Sequence, residues 1–181
     1  MSQMKQDIAE ILFTEENIAQ IVKQLGEQIS KDYEGEEITV IGILKGSNIF
    51  LADLIRHITV PVYLDFMVVS SYGNSAKTSG VVRILKDLEE DIEGKNILIV
   101  EDIVDTGLTL AYLKDNLLRR NPKSLKICSL LDKPARREID ITIDYKGSDI
   151  PDEFIVGYGI DYAERYRNLP FIGILKREIY E

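Results

Sequence analysis

Ile97-Leu-Ile-Val-Glu101-Asp102-Ile-Val-Asp105-Thr106-Gly107-Leu108-Thr109 is the stretch that decides how this chain folds. Its opening residues, Asn96 to Val100, are almost wholly apolar, the mark of a strand covered on both faces rather than on one. Glu101 and Asp102 follow where that strand is expected to end, and Asp105 to Thr109 lead into a helix predicted over Leu108 to Arg119. Working outward, the β-branched run Ile38 to Leu44, a short helix Asn48 to His57 and a strand Val62 to Ser70 form a βαβ beginning, and Leu125 to Leu131 is another apolar strand. Continuous apolar strands alternating with helices indicate an α/β fold, a central parallel sheet with helices on both faces.

The flanks are read the same way. Ile18, Ile21, Val22, Leu25 and Ile29 recur at helical spacing behind Thr14, the expected N-cap, in a helix ending near Tyr33 to Gly35. Ser71 to Gly80 is polar and carries glycine between the strand-like Val62–Ser70 and Val81–Leu88, and is expected to be a long, mobile hairpin loop. Shorter pieces, Ile139 to Tyr145, Phe154 to Val156 and Phe171 to Lys176, are expected to form a small flanking hood subdomain. No repeat or linker divides the chain, so residues 1–181 are expected to form one domain.

Composition narrows the function. With 45% hydrophobic and 29% charged residues, the chain has the apolar material for one globular core. A net charge of −9 argues against a protein whose task is gripping nucleic acid, since that affinity comes from Lys and Arg neutralising phosphates. No run suits a membrane span, and Met1 to Glu10 mixes Lys5 with Asp7 and Glu10, so a cytoplasmic protein is expected. Cys128 is the only cysteine and lies in an apolar strand, more in keeping with a core residue than a nucleophile. His57 is the only histidine, which disfavours a histidine-based triad or a zinc site.

The chemistry gathers in Glu101 to Thr109. Parallel sheets bind ligands at the carboxyl ends of their strands. A tight loop entering a helix offers free backbone N–H groups and a positive dipole end to a phosphate. Thr106 and Thr109 add hydroxyls, and Gly107 permits close backbone approach. Glu101 and Asp102 suit vicinal ribose hydroxyls, directly or through Mg²⁺, which takes hard oxygen ligands. A phosphate pocket beside a diol pocket describes a ribose 5-phosphate. One such acid alone would read as a solvated strand end or cap; three carboxylates with Thr-Gly-x-Thr in one turn make that reading much weaker.

VEDIVDTGLT resembles the phosphoribosyl pyrophosphate motif of the type I phosphoribosyltransferases. The Leu44-Lys45-Gly46-Ser47 loop, Ser71-Tyr72, Lys133 after SLLD, and IPDEFIVGYGIDYAERYRNLP extend the likeness along nearly the whole chain, to the hypoxanthine-guanine branch. The resemblance implies transfer of the phosphoribosyl group to hypoxanthine or guanine, magnesium dependence and a homodimer or homotetramer. It assigns the 5′-phosphate to Asp105, Thr106, Gly107, Leu108 and Thr109, with Asp105 also the general base at purine N7. It assigns pyrophosphate to Lys45, Gly46 and Arg167, with a cis peptide at Leu44–Lys45. Metal goes to Asp161 with Glu101 and Asp102, and the flexible loop opens at Ser71 and Tyr72. Lys133 is implied to donate to the purine O6, Phe154 to stack on the ring and the Val156 backbone to read its N1/N2 edge.

Taken alone, Lys45 reads as a solvated charge, Lys133 as an ordinary strand-end lysine, Phe154 and Val156 as core, and Asp161 and Arg167 as surface ion-pair residues. Two rivals share the motif: a transferase specific for xanthine or adenine, and a non-enzymatic regulator that senses phosphoribosyl pyrophosphate and binds nucleic acid. Lys133 with Phe154-Ile155-Val156 speaks against adenine. The acidic balance and Asp105 speak against the regulator.

Overall fold

The structure, a computed structural model, describes residues 3–71 and 82–181. Apart from Ser71, the expected loop, Tyr72 included, lies outside them. The elements run α1 (Gln3–Gln6), β1 (Ile8–Phe13), α2 (Glu15–Asp32), β2 (Ile38–Leu44), α3 (Asn48–Ile55), β3 (Val62–Ser71) and β4 (Val82–Lys86). They continue with β5 (Asn96–Val104), α4 (Leu108–Leu118), β6 (Ser124–Asp132), a 3₁₀ turn (Pro134–Arg136), β7 (Tyr145–Asp149), β8 (Ile155–Val156), β9 (Ile172–Leu175) and α5 (Arg177–Tyr180). Six strands form the main sheet in the order β4-β3-β2-β5-β6-β7, and β1-β9-β8 form a second. Every pairing in the main sheet is parallel except β3 with β4.

The period-2 alternation of the central strands explains the layers. Val40, Leu98, Val100, Cys128 and Leu130 face one core with Ile18, Val22, Leu25 and Ile29 of α2 and Phe50, Leu51 and Leu54 of α3. Their neighbours Ile41, Ile43, Ile97, Ile99 and Ile127 face the other core with Leu110, Leu113 and Leu117 of α4. Both faces are therefore covered, as the apolar runs require. Thr14 caps α2 as expected: its hydroxyl accepts from the Asn17 N–H at 3.3 Å, and Asn17 accepts in return from the Thr14 N–H at 3.1 Å.

Three expectations need correction. β5 does not end at Val100. Its pairing with β2 stops at Gly42–Val100, but its ladder with β6 continues through Glu101–Ser129, Ile103–Leu131 and Val104–Asp132. Glu101 and Asp102 therefore sit within a strand that has lost its neighbour on one side. Ile139 to Tyr145 is not a strand of the flanking subdomain. Only Tyr145 is extended, opening β7, which closes the edge of the main sheet on β6; Ile141 and Ile143 pack on the second core without a ladder. The flanking sheet takes β1 in place of that piece, a strand the sequence reading passed over, antiparallel to β9.

Candidate active site

Adjacent parallel strands deliver the site. Val104 pairs with Asp132 at the carboxyl ends of β5 and β6, so the residues that follow, Asp105 and Lys133, emerge side by side. The Lys133 N–H donates to the Val104 carbonyl at 2.9 Å and fixes that exit. Beyond it, Asp105 to Gly107 turn into α4. Gly107 takes φ 84, a left-handed conformation that side chains resist, and the added Cβ of any other residue would crowd the Ile139 carbonyl and the Arg137 side chain. The turn is braced from outside: the Glu138 and Ile139 N–H groups donate to the Thr106 carbonyl at 3.0 and 3.2 Å. Glu101 to Leu110 line a hollow of about 180 Å³ into which the amino end of α4 opens.

Glu101 and Asp102 keep part of their surface open to this hollow. Burial raises the Glu101 carboxyl well above the ordinary glutamate value, and the adjacent Asp102 charge raises it further. Burial also raises Asp102, against a bond from the Ile103 N–H at 2.9 Å and the opposing charge of Arg167. Two crowded acids of hard oxygen donors fit a divalent cation. Among the described residues no three His, Cys, Asp or Glu side chains cluster to hold one. Mg²⁺ is commonly held by one or two carboxylates with substrate oxygens completing the shell, so the donor set fits that ion.

A second group adjoins the first through Gly46. A Cβ added there would overlap the Asp102 carboxylate, so the loop after β2 lies directly on β5. The Leu44–Lys45 peptide is cis, as the family resemblance implies. Lys45 Nζ stands 3.0 Å from Glu164, and Arg167 reaches Asp161 at 2.8 Å, Glu164 at 3.5 Å and the Gly159 carbonyl at 2.7 Å. Asp161 also accepts from the Glu164 N–H at 2.9 Å. Lys45, Gly46, Asp161 and Arg167 are thereby one cluster. Glu164 is a member that sequence reasoning missed, and its place between two cations was the only available signal.

The third group borders Asp105. Lys133 is buried, and its ammonium donates to the Glu153 carbonyl at 2.9 Å, one residue before Phe154. Val156 is fully buried in the flanking core with Tyr166, Leu169 and Phe171, and pairs with Gly173 across β8 and β9. Arg136, which the sequence did not single out, stands 3.2 Å from Asp105 Oδ1 and 3.8 Å from Asp152, and so links Asp105 to the segment that carries Glu153 and Phe154. Arg137 pairs with Asp132. Among the described residues, Asp105 Oδ1, Arg137 Nη1 and Arg167 Nε are buried without a hydrogen-bond partner. Such atoms are costly to maintain, and three of the five among the described residues lie here, the others being the Tyr33 hydroxyl and Ser70 Oγ. Ser71 ends β3, and Tyr72 lies outside the described residues, so the loop reading is not placed.

A larger open hollow, about 850 Å³, lies at the amino ends of β2 and β3 and is lined by Glu34, Glu36 and Glu37 with Lys31. Its carboxylates make it a poor seat for a polyphosphate. No helix of the described residues is long and apolar enough to cross a membrane.

The comparisons agree with this geometry. Residues 9–163 match the phosphoribosyl transferase domain family. The hypoxanthine-guanine phosphoribosyltransferase of Bacillus subtilis is 53% identical over 178 residues, covering 98% of this chain and 99% of the relative. That of Streptococcus thermophilus is 50% identical over 177 residues, with 98% of each chain covered. A solved hypoxanthine phosphoribosyltransferase from Staphylococcus aureus superposes with a TM-score of 0.96 at 52% identity, covering 99% of this chain and 98% of its own. A strand-to-helix turn with the family's motif, an acidic pair beside it and full-length likeness lead to one conclusion: the chain belongs to the phosphoribosyltransferase family.

Proposed function

We propose that this enzyme moves the 5-phosphoribosyl group of phosphoribosyl pyrophosphate to N9 of hypoxanthine or guanine, giving IMP or GMP and pyrophosphate, in purine salvage. The observation that carries the reading is Asp105. One of its oxygens is buried in the proposed phosphate turn with Arg136 as its ion-pair partner at 3.2 Å and no hydrogen bond among the described residues, and Lys133 leaves the neighbouring strand beside it. N9 forms its bond to C1′ as the C1′–oxygen bond to pyrophosphate breaks, and Asp105 takes the proton from N7. The charge that develops on the ribosyl carbon resembles that of glycoside cleavage. Thr106 to Thr109 hold the 5′-phosphate by their N–H groups and hydroxyls. Lys45, Gly46 and Arg167 hold the departing pyrophosphate, a guanidinium being well matched to phosphate oxygens.

Magnesium belongs to the same proposal. Glu101 and Asp102 are the residues that would hold one ion and Asp161 a second, and when bound these would supply positive charge to the ribose and pyrophosphate oxygens. A cytoplasmic homodimer or homotetramer is part of the same reading.

Base choice follows from Lys133. Its ammonium has a carbonyl partner in the ligand-free protein, so an oxopurine O6 can replace one acceptor with another, whereas the amino group of adenine would oppose donor to donor. Leaving a buried hydrogen-bonding group unpaired costs about 1–3 kcal/mol. The test is a coupled assay of pyrophosphate release with hypoxanthine, guanine, xanthine and adenine, with and without Mg²⁺, on the unaltered protein and Lys133→Gln. Hypoxanthine and guanine are expected to turn over and adenine to be rejected, with Lys133→Gln reducing both oxopurine rates and narrowing the gap to adenine. Good turnover of adenine by the unaltered protein would remove the 6-oxopurine reading and leave the ribosyl site standing.

A further inference from the structure

Phe154, assigned above to the purine face, is itself stacked. The Tyr180 ring lies against it with centroids 4.9 Å apart and planes 27° from parallel. Tyr162 meets Phe154 at 5.3 Å with its plane turned by 88°. Tyr162 and Tyr180 are only 6.5 Å apart, far short of the sum of their separations from Phe154, so they do not sandwich the ring. Tyr180 covers one face, and Phe154 remains 37% exposed among the described residues.

The backbone ties the two stacked residues together as well. The Leu175 N–H donates to the Phe154 carbonyl at 2.8 Å where β9 runs beside β8. The chain then turns at Lys176, whose N–H is held by the Asp7 carbonyl at 2.9 Å, and enters α5. Ile179 and Tyr180 pack there on the cluster of Val156, Tyr166, Leu169, Phe171 and Leu175. Tyr180 is thus anchored on one side and stacked on the other. An exposed aromatic ring next to a two-residue strand has more than one rotamer open to it. A parallel-displaced partner removes those that swing the ring away, which lowers the entropy lost when a ligand lands on the remaining face.

We infer that Tyr180 is a positioning residue for the purine: it holds the Phe154 ring in the orientation whose free face receives the base. The inference rests on the reading of Phe154 as the stacking residue. The contact is between ring faces, so the Tyr180 hydroxyl takes no part. The C-terminal helix then tunes affinity for the base and leaves the ribosyl donor alone.

The test is steady-state kinetics on the full chain with Tyr180→Ala, Tyr180→Leu, Tyr180→Phe and Phe154→Ala, measuring KM for hypoxanthine and for phosphoribosyl pyrophosphate. Tyr180→Ala is expected to raise the hypoxanthine KM roughly two- to tenfold, the range an aromatic pair supports. The donor KM, and kcat at saturating base, should hold. Tyr180→Phe should restore the hypoxanthine KM, while Tyr180→Leu, apolar but without a ring to stack, should stay elevated. That leucine-to-phenylalanine contrast decides the matter even if the alanine variant fails to fold. A raised hypoxanthine KM in Phe154→Ala with no change in the Tyr180 variants overturns the role of Tyr180 and keeps that of Phe154. An unchanged hypoxanthine KM in Phe154→Ala removes both. A parallel rise in donor KM, or no rescue by phenylalanine, overturns the inference in favour of general loosening or a hydroxyl contact.

Discussion

At the amino ends of the main sheet, Asp32 accepts from Lys126 at 3.1 Å and from the Tyr145 hydroxyl at 2.8 Å, and Glu36 accepts from Lys123 at 2.7 Å. These bonds hold both carboxyls below their ordinary range, Asp32 chiefly through Tyr145 and Glu36 chiefly through Lys123. At the carboxyl ends of β5 and β6, burial pushes Glu101 and Asp102 the other way, and Asp105, Arg137 and Arg167 each hold a buried polar atom without a hydrogen-bond partner among the described residues. At the amino end the carboxylates are engaged by cations and a hydroxyl; at the other, Asp105, Arg137 and Arg167 have ion-pair partners in Arg136, Asp132 and Asp161, yet each keeps an atom that no hydrogen bond satisfies. Buried polar atoms without hydrogen bonds destabilise; three of the five among the described residues lie at the carboxyl end, against the Tyr33 hydroxyl at the amino end and Ser70 Oγ on β3, so the larger cost falls at the end with the candidate site.

The sharpest way to break that comparison is Asp105→Asn. The amide keeps the shape of the turn and removes the base, so turnover should fall about 10²–10⁴-fold, the usual contribution of general-base assistance. Phosphoribosyl pyrophosphate binding, followed by calorimetry, should change little. Full turnover at saturating substrates would return Asp105 to the role of a structural carboxylate.

How much of this was legible in the sequence depends on how local each signal is. The two cores could be read because Ile97 to Val100 and Ile38 to Leu44 are apolar on both faces and α2 carries its stripe at helical spacing. β1 could not, because Ile8–Phe13 becomes a strand only by pairing with β9 from the far end of the chain. β7 has almost no apolar alternation: Tyr-Lys-Gly-Ser-Asp is extended because β6 offers it an edge. In the site, Asp105 to Thr109 form one contiguous turn and could be recognised from residue types alone. Glu164, Arg136 and Tyr180 could not, since each matters only for what stands across from it: Lys45 and Arg167, Asp105, and Phe154. Strand length was misjudged at Glu101 because two charges ordinarily end a buried strand, and here the hollow they line replaces the missing neighbour β2.

Glu101→Gln sharpens the contrast from the stability side. The folded-state pKa of Glu101 is raised, so the folded protein holds that proton more tightly than the unfolded chain. Stability is therefore lost as pH rises from the ordinary glutamate range through the raised folded value. Glutamine carries no such penalty and also relieves Asp102. In magnesium-free buffer the variant should be more stable than the unaltered protein at pH 8, by about 0.5–2 kcal/mol, while its activity falls. Scanning calorimetry across pH should show the gap closing toward and below the ordinary glutamate range. A gap of constant size would mean that the glutamine side chain simply packs better.

The smallest effect is expected at the amino end, from Lys126→Met. Lys126 bonds to Asp32 and the Tyr145 hydroxyl, and its ammonium lies 5.1 Å from the ring centres of both Tyr33 and Tyr145. Methionine keeps the stem that packs on those rings and removes the charge. The Lys126 and Asp32 side chains are 33% and 40% exposed, so solvent screens the pair, and the loss should be about 1 kcal/mol or less. Its pH signature is opposite to that of Glu101. The folded-state pKa of Asp32 is depressed, so its stabilisation is present above the ordinary aspartate range and is lost as pH falls through the folded value. Without Lys126 part of that acid-labile stability is already gone, and the unaltered protein and the variant should converge as the solution is acidified. Tyr145 still donates to Asp32 in the variant, so the depression should shrink without vanishing. Steady-state rates at neutral pH should be unchanged, because nothing at this end faces the hollow beyond β5. A fall in kcat with intact stability would show that the two ends of the sheet are coupled, and that the amino end also serves the site.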